Sequence, residues 1–181
     1  MNGSRLVVGV TGGVAAYKSA ALVSQLVQAG AEVEVVMTLA ATRFVGAATF
    51  EALTGNRVLT DVFDQQEHPL GPHIELARSA QILCVTPATA NFLAKTAAGI
   101  ADDLLSTLYL SFQAPVLLAP AMNCEMWEKP VVQRNVSSLR SDGVHFVDPE
   151  EGWLSCRQRG VGRMAAPERI FATITAMLNE C

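Results

Sequence analysis

The sequence is poor in charge and in aromatic rings: charged residues make up 17% of its 181 positions, and Phe, Trp and Tyr together 6%. It holds no run of basic residues, and its formal charge is −4. Nucleic acid and an anionic membrane are therefore disfavoured as partners, although a local basic pocket for a small phosphate is compatible with that balance. No window approaches the roughly 18 consecutive apolar residues that span a bilayer. The opening Met1-Asn2-Gly3-Ser4-Arg5 runs straight into a strand-like segment, without the long apolar core or cleavage site of a secretory signal, so a cytoplasmic location is expected. The cysteines are Cys84, Cys124, Cys156 and Cys181, far apart and without a C-x-x-C pair. That spacing argues against a disulfide framework and against a zinc site, so no metal is expected. Cys84 and Cys181 read as small buried hydrophobes or inert thiols.

What the chain has in quantity is apolar side chains, 50% of its residues. That is enough to offset the entropy of ordering, and the length suits one domain over residues 1–181. Arg5–Val10 is a short apolar run ending in Thr11-Gly12-Gly13. From Val14 the period changes to that of a helix, with Ala20, Val23, Leu26 and Val27 on one stripe as far as Gly30. Glu32–Met37 alternates and is rich in β-branched residues, which completes a βαβ unit. The alternation continues with strands at Ile82–Thr86, Val116–Ala119 and His145–Val147, and helices across Asn91–Ala98, Val131–Arg140 and Pro167–Leu178. Nearly continuous apolar strands alternating with helices predict an α/β, three-layer Rossmann-like (flavodoxin-like) sandwich with a mostly parallel sheet. The stretches Asp64–Pro72 and Pro149–Gly162 read as long irregular loops, of the kind that is usually functional.

In such a sheet, ligands bind beyond the carboxyl ends of the strands. Thr11-Gly12-Gly13 lies there, where glycines permit close backbone approach and the following helix N-terminus favours a phosphate. It is not G-x-G-x-x-G, and Met37-Thr38-Leu39-Ala40 offers no acidic residue to hold a ribose, so a dinucleotide is disfavoured. A mononucleotide phosphate held by Gly13 to Ala15 and Thr38 fits better; a plain tight turn stays open on these residues alone. Two later strands end alike, in Pro87-Ala88-Thr89-Ala90-Asn91 and Pro120-Ala121-Met122-Asn123. Each stops at a proline, keeps its backbone accessible with small residues, and delivers a carboxamide just beyond. Either Asn alone could be a helix cap; a matched pair on neighbouring strands points to a shared crevice.

Four segments in order carry a resemblance: Val8–Lys18 (VGVTGGVAAYK), Pro72–Leu76 (PHIEL), Pro87–Asn91, and Pro120–Trp127 (PAMNCEMW). They are similar to the homo-oligomeric flavin-containing Cys decarboxylases, nearest to the phosphopantothenoylcysteine decarboxylase branch, over nearly the whole chain. The resemblance implies FMN as cofactor, held by Gly13, Val14, Ala15, Thr38, Thr89, Ala90, Asn91 and Ala121. It implies His73 as the catalytic histidine, Asn123 as the grip on the substrate carboxylate, and Met126 as part of the same substrate-binding motif. It further implies a homotrimer or a dodecamer of trimers, with the flavin near a subunit interface and His73 and Asn123 acting across chains. His68 and His145 lack such a context and read as surface residues.

The implied chemistry is oxidation of a cysteine side chain by flavin to a thioaldehyde, followed by loss of CO2 to an enethiolate. In the phosphopantothenoylcysteine branch a flap cysteine then helps protonate that product while the reduced flavin returns a hydride; the product is 4′-phosphopantetheine of coenzyme A biosynthesis. Gly152–Arg157 (GWLSCR) and Gly160–Met164 (GVGRM) resemble that flap and the segment after it, which makes Cys156 the proton donor. The usual Ala-Cys-Gly is here Ser155-Cys156-Arg157, which removes a glycine and adds a cation that could lower the thiol pKa or meet a substrate phosphate. The rival readings are a peptidyl-cysteine decarboxylase that releases an enethiol, a flavin prenyltransferase, and a non-catalytic flavoprotein that regulates a partner. The chain is expected to hold the decarboxylase without a ligase domain.

Overall fold

The structure is a computed structural model that describes residues 1–63 and 69–180. His68, Cys181 and the 64–68 part of the anticipated loop lie outside the described residues. Elements follow in the order β1 (Arg5–Val10), α1 (Ala16–Gln28), β2 (Glu32–Met37), a single 3-10 turn, α2 (Ala47–Thr54), α3 (Pro72–Ser79) and β3 (Ile82–Ala88). Then come α4 (Ala90–Ala97), α5 (Leu104–Ser111), β4 (Val116–Pro120), α6 (Cys124–Trp127), α7 (Pro130–Ser141) and β5 (His145–Phe146). The chain closes with β6 (Glu150–Trp153), β7 (Arg159–Arg163) and α8 (Pro167–Glu180).

The first five strands form one parallel sheet in the order β2-β1-β3-β4-β5. Its strands are apolar on both sides because both sides are covered. Leu6, Val8 and Val10 of β1, Ile82 and Cys84 of β3, and Leu117 and Ala119 of β4 pack with α1, α2 and α8. The intervening Val7, Leu83, Val85 and Leu118 pack with α3, α4, α5 and α7. Gly9 is small for a packing reason, since a Cβ there would lie 2.6 Å from Cδ1 of Leu105. The expected three-layer arrangement is therefore present, and the strand order reverses between β1 and β3. That reversal opens a crevice beyond the strand ends.

Two features differ from the sequence expectation. Residues 149–162 are not irregular: β6 and β7 pair antiparallel as a hairpin outside the main sheet. Its strands are mostly solvent-exposed and hold each other by charge, Arg163 to Glu150 at 3.1 Å and Arg159 to Glu151 at 3.4 Å, so no apolar alternation announces them. Helices α2, α3 and α5 also arise in stretches without assigned structure. α3 begins at Pro72 at its first turn, and α5 is started by a capping box in which Asp103 accepts from the Ser106 amide while Ser106 faces the Asp103 amide.

Candidate functional site

The tips of β1 and β3 are stitched together at the crevice by hydroxyls that would otherwise be buried without partners. Thr11 donates its Oγ1 hydrogen to the Pro87 carbonyl at 2.6 Å and accepts the Thr89 amide at 3.1 Å. One turn into α1, Ser19, fully buried, donates to the Thr86 carbonyl. Gly12 lets the β1 tip lie against the β2 tip, since a Cβ there would fall 2.5 Å from Cβ of Ala40. At Gly13 such a Cβ would make only ordinary contact, 3.7 Å from Cγ2 of Thr89, and this residue borders the space between the strand tips.

That space is a cavity of about 1090 Å³. Gly13, Val14, Ala15 and Thr38 line it on the β1–β2 side; Thr89, Ala90, Asn91 and Ala121 line it along the tips of β3 and β4. Asn123 and Met126 stand at its edge, and Trp153, Leu154 and Ser155 of the hairpin form the facing wall. The structure thus brings together all eight residues expected to hold the cofactor and two of those expected to hold substrate. Small-molecule pockets commonly measure roughly 300–1,000 Å³, so this volume has room for a mononucleotide and a second ligand.

The cavity end at α1 suits the phosphate of FMN. The amides of Gly13, Val14 and Ala15 donate to no backbone carbonyl among the described residues, and α1 carries neither a side-chain cap nor an acidic residue in its first turn. Free amides at a helix N-terminus form an anion cradle. No group of three or more metal-ligating side chains occurs among the described residues.

Asn123 caps α6. Its Oδ1 accepts the Glu125 amide at 2.6 Å, which leaves the NH2 end of the carboxamide as the group available to a ligand. β7 runs against the same loop: the Met122 amide donates to the Gly162 carbonyl at 3.0 Å, and a Cβ on Gly162 would lie 2.3 Å from the Met122 carbonyl oxygen. Gly160 also packs closely on Cys124, a Cβ there falling 2.8 Å from Cβ of Cys124, whose Sγ faces Oε1 of Gln158 at 3.7 Å. The hairpin is therefore clamped at its base to the segment that carries Asn123.

Three expected residues do not line the cavity. His73 lies in the first turn of α3, packed beside Gly71, with Nδ1 buried and unpartnered among the described residues. Cys156 and Arg157 are exposed at the hairpin tip. The tip is closed by the Arg157 amide donating to Leu154 and the Leu154 amide donating to Gln158, both at 2.9 Å, and Arg157 takes the left-handed conformation with φ 63°. A three-residue hairpin loop places glycine by preference at that position.

Sequence reasoning missed the cations of the wall, Lys18, Lys95 and Arg163. The spacing of Asn91 and Lys95, four residues apart and so on one helix face, was the available signal. Lys95 is paired with Asp102 at 2.6 Å and Asp103 at 2.8 Å. Burial alone would lower its pKa, but the two carboxylates outweigh that and raise it. The Lys18 pKa is lowered, first by burial and then by the neighbouring Arg163.

Comparisons with known proteins identify the family. The Flavoprotein family model matches residues 1–179. The coenzyme A biosynthesis bifunctional protein CoaBC of Bacillus subtilis (strain 168) is 48% identical over 94% of this chain and 42% of its own length. The chain thus spans less than half the length of that relative. Among solved structures, the FMN-dependent cysteine decarboxylase SpaF is 37% identical, with TM-score 0.83 and 97% of both chains covered. A cysteine-to-serine mutant of PPC decarboxylase complexed with pantothenoylaminoethenethiol is 30% identical, with TM-score 0.90 over 98% of this chain and 100% of that one. With nearly every residue matched by the family model and the strand-tip crevice in place, this chain belongs to the flavoprotein family, among FMN-dependent cysteine decarboxylases.

Proposed function

We propose that this chain binds FMN and decarboxylates 4′-phosphopantothenoylcysteine to 4′-phosphopantetheine in coenzyme A biosynthesis. The observation that carries the reading is Asn123: a carboxamide with its oxygen tied down and its NH2 free, on the wall of a cavity roomy enough for cofactor and substrate together. The bifunctional coenzyme A relative and the PPC decarboxylase support the choice of substrate.

Loss of CO2 from a cysteine carboxyl needs an electron sink, which FMN supplies when bound. The chain's own residues do the rest. Gly13, Val14, Ala15 and Thr38 hold the phosphate end, while Thr89, Ala90, Asn91 and Ala121 line the remainder of the cofactor site. The Asn123 NH2 donates to the substrate carboxylate without adding a charge that would oppose CO2 release, and Met126 packs beside it. His73 manages the thiol or α-proton, a task suited to imidazole as a proton carrier near neutral pH. Because His73 stands away from its own chain's cavity, it serves the cavity of a neighbouring copy. A trimer, or a larger assembly of trimers, is the assembly proposed. Cys156 rides on the hairpin, which closes over the substrate and brings the thiol to the enethiolate as proton donor; Arg157 moves in with it.

The test is to incubate the FMN-loaded protein with 4′-phosphopantothenoylcysteine and weigh the product. Loss of CO2 alone is expected. A product lacking two further hydrogens would indicate enethiol release, and no mass change would leave a flavin-binding protein without this activity.

A further inference from the structure

Among the described residues the cavity wall carries three cations and a single carboxylate, Asp103. A cavity that takes anionic ligands gains nothing from a negative wall, so this residue calls for a reason. Its two oxygens do different things. Oδ1 accepts the Ser106 amide at 2.8 Å and caps α5, while Oδ2 accepts from the Lys95 ammonium at 2.8 Å. Lys95 also meets Asp102 at 2.6 Å, so two of its three donors are placed and the charge is pinned to the wall. Burial by itself would lower the Lys95 pKa and raise that of Asp103. The hydrogen bonds between them outweigh it, and both stay charged at neutral pH.

A brace alone does not explain the pair. The turn between α4 and α5 is already held by its backbone, the Gly99 amide donating to the Thr96 carbonyl at 3.2 Å and the Ile100 amide to the Lys95 carbonyl at 2.9 Å. The capping box of α5 closes between Asp103 and Ser106 without the lysine. What distinguishes the pair is its place. The Lys95 side chain is 19% exposed, on the cavity face of α4 one turn beyond Asn91, and apart from the α1 amides that suit the phosphate. Charges so sheltered from water are screened less than surface charges and act on whatever the cavity holds.

Reduction adds negative charge to a flavin ring, so a fixed cation nearby favours the reduced form and a carboxylate the oxidised one. The decarboxylation reading above asks the flavin to take two electrons from the substrate and then to give them back, which requires a potential suited to both directions. Resting on that reading, we propose that Lys95 and Asp103 set the redox potential of the bound flavin, Lys95 raising it and Asp103, with Asp102, holding it down. They act as positioning residues for charge and take no part in proton transfer. The direction of each effect follows from the sign of the charge alone.

The experiment measures the midpoint potential of bound FMN, by anaerobic titration against a reference dye, in wild type, Lys95→Met, Lys95→Arg, Asp103→Asn and the Lys95→Met, Asp103→Asn double variant. Asparagine caps a helix as aspartate does, so Asp103→Asn should keep α5 in place. Lys95→Met should lower the potential by about tenfold in the two-electron equilibrium, or ~30 mV. Asp103→Asn should raise it by a similar step, the double variant should return toward wild type, and Lys95→Arg, which keeps the charge, should stay near it. Unchanged potentials in every variant with FMN still bound would show a brace between two helices. Shifts of Lys95→Met and Asp103→Asn in the same direction would show a disturbed fold instead of a charge effect. Loss of FMN from Lys95→Met but not from Lys95→Arg would make Lys95 a cofactor ligand. Each of these results overturns the proposal while leaving the decarboxylase reading intact. The expected shifts in a wild type that leaves 4′-phosphopantothenoylcysteine unchanged would uphold the tuning and overturn that reading, and a wild type that binds no FMN would take both down.

Discussion

The backbone amide of Glu125 donates to Oδ1 of Asn123 at 2.6 Å, so one hydrogen bond both starts α6 and decides which end of the carboxamide a ligand meets. Aspartate caps helices as well as asparagine does. Asn123→Asp is therefore expected to fold and keep FMN while presenting a carboxylate where a donor is needed. Decarboxylation should fall by about a hundredfold or more, the loss of a hydrogen bond to a charged group aggravated by repulsion. Flavin absorbance and product mass on the same preparation check it; turnover near wild type would remove Asn123 from the mechanism.

Gly162 is the contact that fixes the hairpin to the Asn123 segment. An added Cβ would meet the Met122 carbonyl oxygen at 2.3 Å, and backbone cannot step aside as a flexible side chain does. Gly162→Ala should cost about 1–3 kcal/mol of stability, as overpacking does. It should also shift Asn123, with kcat lowered more than flavin content. Gly46→Ala, where nothing lies within 4 Å of the new methyl, is the control for the effect of a methyl alone. Thermal unfolding of both variants decides the comparison.

How far the sequence revealed this site follows from what each residue depends on. Strands buried on both faces announce themselves as apolar runs, so β1, β3 and β4 and the crevice at their tips were legible, as was the proline that ends β4; β3 runs one residue past Pro87, to Ala88. The hairpin was not, because Glu150, Glu151, Arg159 and Arg163 stabilise it by cross-strand charge instead of burial. Lys18 and Arg163, 145 positions apart, become neighbours only through the packing of β7 and α8 beside α1. His73 was legible from its motif alone, and the same resemblance implied a role across chains; the residue lies outside the cavity of its own chain.

Cys84, in the middle of β3, is fully buried, and burial pushes its thiol from 9.0 up to about 12. The folded state resists ionising this group and the unfolded state does not. Its buried neutral form is therefore a stabilising contribution that is intact below pH 9 and is lost as pH rises from there toward 12. Over that window wild type should lose stability more steeply than Cys84→Ala, by about 1.4 kcal/mol per pH unit. Denaturant unfolding at pH 8, 9 and 10 measures the two slopes; parallel slopes would contradict the assignment to Cys84.

Cys156 is exposed at the hairpin tip, while Cys84 and Cys124 are buried. An alkylating reagent should therefore modify Cys156 ahead of Cys84 and Cys124 in the folded protein. Cys156→Ser should still release CO2 but return a product two hydrogens lighter, since the enethiolate loses its proton donor. Mass spectrometry reads both results, and a saturated product from the variant would dispose of the thiol's role.

Arg157 occupies the one left-handed position among the described non-glycine residues, at φ 63°. A side chain there costs about 1–2 kcal/mol, which glycine avoids. Arg157→Gly relieves that cost but loosens the unfolded chain, so the net gain should be about 1 kcal/mol, or ~2–4 °C in Tm for a chain of this size. The loop closes through backbone bonds between Leu154, Arg157 and Gln158, which the substitution leaves in place. Cys156 therefore keeps its position, and the product of Arg157→Gly should remain saturated. A lower Tm would mean that the guanidinium holds the tip by a contact stronger than the backbone strain it imposes.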